Sequence, residues 1–122
     1  MTNKIFILDD EIDLLKILEL RIKKAGYEVE SSTNANDALN KLKEGHFDLL
    51  LLDLIMPQIT GFEFYEKIKQ EPSLKDLAII ILTADATKET EKKIKKMNVA
   101  NYIKKPFEAD ELLKSISQAI KK

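Results

Sequence analysis

Three stretches of this chain are apolar without interruption: Ile5-Phe6-Ile7-Leu8, Leu49-Leu50-Leu51-Leu52 and Ala78-Ile79-Ile80-Ile81-Leu82. A strand with one wet face alternates apolar and polar residues, so unbroken runs of this length read as strands covered on both faces. That is the condition of a parallel sheet with helices on either side. The segments between the runs have helical spacing. Ile12, Leu15, Leu18, Ile22 and Ala25 recur every three or four residues and are followed by Gly26, where a helix end would take a positive φ. Tyr27–Ser31 reads as a short second strand, and Ala35, Ala38, Leu39 and Leu42 line a second helix that Gly45 can stop. The third strand spans Phe47–Leu52. Met56-Pro57 breaks the chain after it, Gly61 allows a turn, and Phe64, Tyr65 and Ile68 mark a helix ending before Pro72. The fourth strand is Ala78–Leu82. A fourth helix between Thr87 and Met97 carries little apolar surface beyond Ala86, Ile94 and Met97, so it is expected to be weakly anchored. Asn101–Lys104 forms a short fifth strand, and Leu112, Leu113, Ile116 and Ile120 define a last helix with two lysines beyond it.

Five strand-helix units with right-handed crossovers make a doubly wound α/β sheet, a single domain over residues 1–122. A chain of 122 residues is long enough to bury one core. With 20 basic against 21 acidic side chains, no overall field draws it to nucleic acid or to an anionic membrane, so partners are recognised locally. There is no cysteine, which removes disulfides and thiolate metal sites, and no apolar stretch reaches the length of a signal sequence or membrane span. The chain reads as cytoplasmic. No linker-like stretch interrupts it, which favours a stand-alone domain.

Charge stands where the buried runs end. Asp9-Asp10 follows the first, Asp53 the third, and Lys105-Pro106 the fifth strand. Open parallel sheets bind ligands beyond the carboxyl ends of their strands. If the strand order is 2-1-3-4-5, strands one and three are neighbours and Asp9, Asp10 and Asp53 meet; other orders scatter them. Carboxylates brought that close repel, and oxygen-rich sites of this kind favour Mg2+ as the neutraliser. Taken singly, each signal has a plainer reading: acids favourable to a helix N-terminus, a Thr83 that caps helix four, a solvated Lys104-Lys105 pair, and a Tyr102 that only packs. His46 has no metal-ligand partner.

Taken together, the residues resemble the receiver domain of two-component response regulators, including the single-domain chemotaxis regulator. The resemblance is carried by Asp9-Asp10, by Leu52-Asp53-Leu54-Ile55-Met56-Pro57 with Gly61, by Thr83-Ala84, and by Lys105-Pro106-Phe107. It implies a flavodoxin-like (βα)5 sandwich with the order 2-1-3-4-5 and a phosphoacceptor switch. On that pattern Asp53 takes a phosphoryl group from the phosphohistidine of a sensor histidine kinase or a histidine phosphotransfer protein. Mg2+ is bound by Asp10, Asp53 and the backbone carbonyl of Ile55, and by Asp9 through water. Lys105 contacts a phosphoryl oxygen and pairs with Asp53 at rest, aimed into the crevice by a cis bond to Pro106. Thr83 donates its hydroxyl to the phosphoryl group, Tyr102 changes rotamer, and the face of helix four, strand five and helix five alters for a downstream protein target. Ile55 and Asp85 border the path of hydrolytic water and are expected to tune dephosphorylation, and Thr60 stands where an Asp or Asn is usual. The domain is then no turnover enzyme, only a self-catalysed phosphoacceptor. The competing enzyme class is an Mg2+-dependent phosphohydrolase of haloacid dehalogenase type, but that class places its nucleophile after strand one with a second acid two residues on.

Overall fold

The computed structural model describes residues 2–85 and 87–120. Met1, Ala86, Lys121 and Lys122 lie outside the described residues, and with them one of the apolar positions assigned above to the fourth helix. The chain runs β1 (Lys4–Leu8), α1 (Ile12–Lys24), β2 (Glu28–Ser32), α2 (Ala35–Glu44), β3 (Leu49–Asp53), α3 (Gly61–Lys69), a 3-10 turn (Pro72–Leu74), β4 (Ala78–Thr83), α4 (Lys88–Lys95), β5 (Asn101–Lys104) and α5 (Ala109–Ile120). All strand pairs are parallel and the sheet order is β2-β1-β3-β4-β5. The order expected from the family pattern is therefore the order observed. No described helix is long and apolar enough to cross a membrane.

The unbroken apolar runs serve two cores at once. Side chains alternate across a strand. Phe6, Leu8, Leu50, Leu52, Ile79 and Ile81 face α2, α3 and α4, while Ile5, Ile7, Leu49, Leu51, Ile80 and Leu82 face α1 and α5. β1 and β3 are buried throughout this alternation, which fixes their register: Leu8 lies opposite Leu52. One residue further on, the chain emerges as Asp9 and Asp53.

Three strands differ from the sequence expectation, and the smallest change is in β4, which runs one residue further to Thr83. β2 is displaced one residue along, to Glu28–Ser32, because Tyr27 still belongs to the turn closed by Gly26, whose φ is +101°. β3 is also later, and its last residue is Asp53, whose backbone pairs with Leu82; at the other end, Asp48 uses its carboxylate to accept from the Lys4 N–H at 2.8 Å.

Gly61 acts by close approach and not by an unusual backbone angle. A Cβ at this position would lie 2.6 Å from the Asp53 carbonyl oxygen and 2.7 Å from Leu54 Cα, while the Gly61 N–H donates to the Leu54 carbonyl at 2.8 Å. The start of α3 is thus drawn against the backbone that carries Asp53. Thr60 completes the junction with a reciprocal cap: its hydroxyl accepts from the Glu63 N–H at 3.1 Å and its own N–H donates to Glu63 Oε1 at 2.9 Å. Gly61→Ala forces backbone to move, and a loss of about 1–3 kcal/mol is expected. Urea unfolding reads this as a lower midpoint at unchanged slope. An unchanged midpoint would show that the loop yields freely.

Candidate functional site

Three acids meet at the carboxyl ends of β1 and β3. One carboxylate oxygen from each of Asp9, Asp10 and Asp53 falls within 4.8 Å of the other two. Their surroundings differ. Asp9 is fully buried and Asp53 nearly so, while Asp10 is exposed. Asp9 Oδ1 accepts from the Glu11 N–H at 2.9 Å and Asp9 Oδ2 from Lys105 Nζ at 2.8 Å. Among the described residues, Asp53 Oδ1 accepts a single long bond, 3.3 Å, from the Ile55 N–H. Burial and then the charge of Asp9 raise the Asp53 pKa to about 7, against the opposing pull of Lys105 and the Ile55 N–H. Of the two buried acids, Asp53 is the less compensated.

Lys105 arrives from β5 because Thr83 pairs with Lys104, which sets the next residue at the same edge of the sheet. Its peptide bond to Pro106 is cis. The ammonium does not take Asp53 as its main partner. It lies 2.8 Å from Asp9 and 2.9 Å from Glu11, but 3.7 Å from Asp53 Oδ1. Burial alone would lower the lysine pKa, yet the bonds to Asp9 and Glu11 and the charges of Asp9 and Asp53 outweigh it, and the net shift is upward. Lys105 is charged in this setting.

The other residues singled out in the sequence lie close by but are engaged elsewhere. Thr83, buried at the end of β4, accepts the Asp85 N–H on its hydroxyl at 2.9 Å. It does not cap α4; Thr87 does, accepting from the Thr90 N–H. The Asp85 carboxylate is occupied on both oxygens, by the Thr87 N–H at 2.9 Å and by the Thr90 hydroxyl at 2.6 Å, and the Thr90 and Thr87 bonds hold its pKa down. Tyr102 is half-buried, and its hydroxyl donates to Glu91 Oε2 at 3.0 Å. That bond is the first cause of a raised tyrosine pKa. The Ile55 side chain is exposed beside Asp53. Glu11, Thr90 and Glu91 are the site neighbours that the sequence reading did not assign. Each is a polar residue at or on a helix, where the usual expectation is a solvated face.

The donor set suits a hard divalent cation. Ligands on opposite sides of one Mg2+ stand about 4 Å apart, close to the span of these oxygens, and carboxylates with a backbone carbonyl and waters are the ligands such ions take.

Comparison with known proteins points the same way. Residues 5–117 match the Response regulator receiver domain family. Response regulator ArlR of Staphylococcus aureus is 35% identical over 122 residues, an alignment covering 98% of this chain and 53% of ArlR. The chain thus spans about half the length of the curated relatives it matches. Among solved structures, chemotaxis protein CheY4 of Vibrio cholerae superposes with a TM-score of 0.91 at 29% identity, covering 98% of this chain and 99% of that one. Response regulator TrrA of Thermotoga maritima, crystallised in complex with Mg(2+)-BeF, has a TM-score of 0.85 at 30% identity and covers 97% and 99%.

The imbalance at Asp53 has a measurable effect on stability. A carboxyl whose folded pKa lies above its unfolded value costs the fold nothing below the ordinary carboxylate range, and stability falls as pH rises from that range to about 7, where the loss is complete. In metal-free buffer at high pH, Asp53→Asn is therefore expected to stabilise the protein by about 1–3 kcal/mol, a gain that shrinks on acidification. Chemical denaturation on either side of neutrality measures it. An Asn variant that is less stable in alkaline buffer would mean that Lys105 compensates Asp53 in full.

Proposed function

The chain belongs to the response regulator receiver domain family, and from that premise we propose that Asp53 is the acceptor of a phosphoryl group delivered by a histidine kinase or histidine phosphotransfer protein. Receiver domains are signalling domains and not ordinary turnover enzymes. The observation that carries the proposal is the meeting of Asp9, Asp10 and Asp53 with Lys105 at one sheet edge. In the transfer, an Asp53 carboxylate oxygen forms a bond to phosphorus as the P–N bond of the donor breaks, and the electron pair returns to the imidazole nitrogen. Such transfer runs through a loose transition state, so catalysis is largely positioning and charge neutralisation. Asp9, Asp10, Asp53 and the Ile55 carbonyl would hold Mg2+, which would supply part of that neutralisation. Lys105 supplies the rest by moving its ammonium from Asp9 and Glu11 to a phosphoryl oxygen. Thr83 turns its O–H from the Asp85 carbonyl, which it reaches at 3.4 Å, to donate to the same group.

Thr83 also links the site to the surface. Through Asp85 it touches the cap of α4, and Tyr102 reaches α4 through Glu91. A shift of Thr83 therefore bears on the face made by α4, β5 and α5, the surface we assign to the downstream partner. The delivering partner is assigned to α1, where Ile12, Ile17 and Leu20 are more than half exposed, as is Ile55 in the loop after β3.

The test of the acceptor is direct. Incubation with acetyl phosphate and Mg2+ is expected to add the mass of one phosphoryl group, and Asp53→Asn to abolish the addition, because an amide is neither a nucleophile nor an anionic ligand. Equal labelling of the Asn variant would place the acceptor elsewhere.

The lifetime of the phosphoryl state follows from the neighbours of Asp53. Ile55 offers incoming water no hydrogen bond, and both Asp85 carboxylate oxygens are engaged at the start of α4, so neither residue orients a nucleophile. A long-lived state is expected. Ile55→Asn places a polar group on the approach and is expected to shorten the lifetime on the order of tenfold, about 1.4 kcal/mol of barrier. Decay after donor removal measures this, and an equal or slower decay in the variant defeats it.

A further inference from the structure

Glu11 stands at the N-cap of α1, a position where a short polar side chain ordinarily accepts from a backbone N–H of the first turn. Its side chain makes no such bond. It turns away from the helix and accepts from Lys105 Nζ at 2.9 Å, while its own N–H donates to Asp9 Oδ1 at 2.9 Å. With its side chain 60% exposed, no packing demand holds Glu11 in this pose. What holds it is the ammonium. Lys105 is consequently shared between Asp9 and Glu11 and stands 3.7 Å from the Asp53 oxygen.

We infer that Glu11 is a positioning residue that holds Lys105 back from Asp53 in the unphosphorylated protein and so limits both the rate and the extent of phosphoryl capture. This rests on the reading of Asp53 as phosphoacceptor. An ammonium that must reach a phosphoryl oxygen on Asp53 gives up Glu11, so the Glu11 contact stabilises the ground state and is absent where the phosphoryl group is held. An interaction made only in the ground state slows the step that breaks it. Because Glu11 is largely in water, the contact is worth what exposed ion pairs are worth, an effect of about two- to fivefold.

Glu11→Gln keeps the shape of the side chain and removes its charge. Two readouts are taken: the rate of labelling by acetyl phosphate at saturating Mg2+, followed by intact mass, and the affinity for beryllofluoride with Mg2+, followed by NMR titration, which reports capture without chemistry. Both are expected to rise about two- to fivefold over the wild type. The same substitution made in a Lys105→Ala background separates action through the lysine from a simple loss of negative charge near an anionic donor. If Glu11 acts through Lys105, its removal changes nothing there. An unchanged or lower rate and affinity in Glu11→Gln overturns the inference, and so does an equal gain in the Lys105→Ala background. Failure of the wild type itself to be labelled would instead sink the phosphoacceptor reading, and the role of Glu11 with it.

Discussion

Repulsion among Asp9, Asp10 and Asp53 is the condition to which the rest of the site is fitted. Two of the three are removed from water, where an uncompensated carboxylate is costly. The compensation is uneven. Asp9 has a backbone N–H on one oxygen and an ammonium on the other, whereas Asp53 has a long bond from Ile55 and a lysine at arm's length. Of the two buried acids, Asp53 is the one with more of its hydrogen-bonding capacity still open. Receptivity at Asp53 and the strong hold on Asp9 are two results of how one lysine is shared.

The same unevenness extends toward the surface. α4 buries only Thr90 and Ile94 among its described residues, so packing contributes little to holding it. Polar contacts do more: Thr87 and Asp85 at its first turn, and Glu91 with Tyr102 along its length. An isolated helix of this length is not stable in water. Its seat therefore depends on groups that connect directly to Thr83 and β5.

How much of this the sequence disclosed follows from the kind of physics each element obeys. β1, β3 and β4 were legible because a run such as Leu49–Leu52 has no wet face to lose, and burial on both sides leaves one kind of strand. The edge strand β2 was harder, since its residues are half-exposed and its start depends on the turn at Gly26. Strand order is not a local property, and it came from the family pattern and not from periodicity. At the site, Asp9, Asp10, Asp53 and Lys105 were visible as charges placed just after buried strands. Glu11 and Glu91 were not, because an acid on a helix is ordinarily solvated and only the approach of β5 gives each its partner. Asp85 was placed near the water path, yet the Asp85-Ala86-Thr87 spacing with Thr90 three residues on already carried a local signal: short oxygen-bearing side chains that satisfy a helix start.

The pairing of Leu8 with Leu52 places Asp9 beside Asp53 through the same register that sends Leu50 and Leu52 to one core and Leu49 and Leu51 to the other. A residue inserted or deleted within β3 would exchange those faces and move the acid to a new position in one stroke. Chemistry and packing are therefore inherited together along β1 and β3, and length variation is excluded there for two reasons at once. Substitution remains open at the rim, where side chains such as those of Glu11, Ile55 and Asp85 can change while the sheet beneath them stays the same.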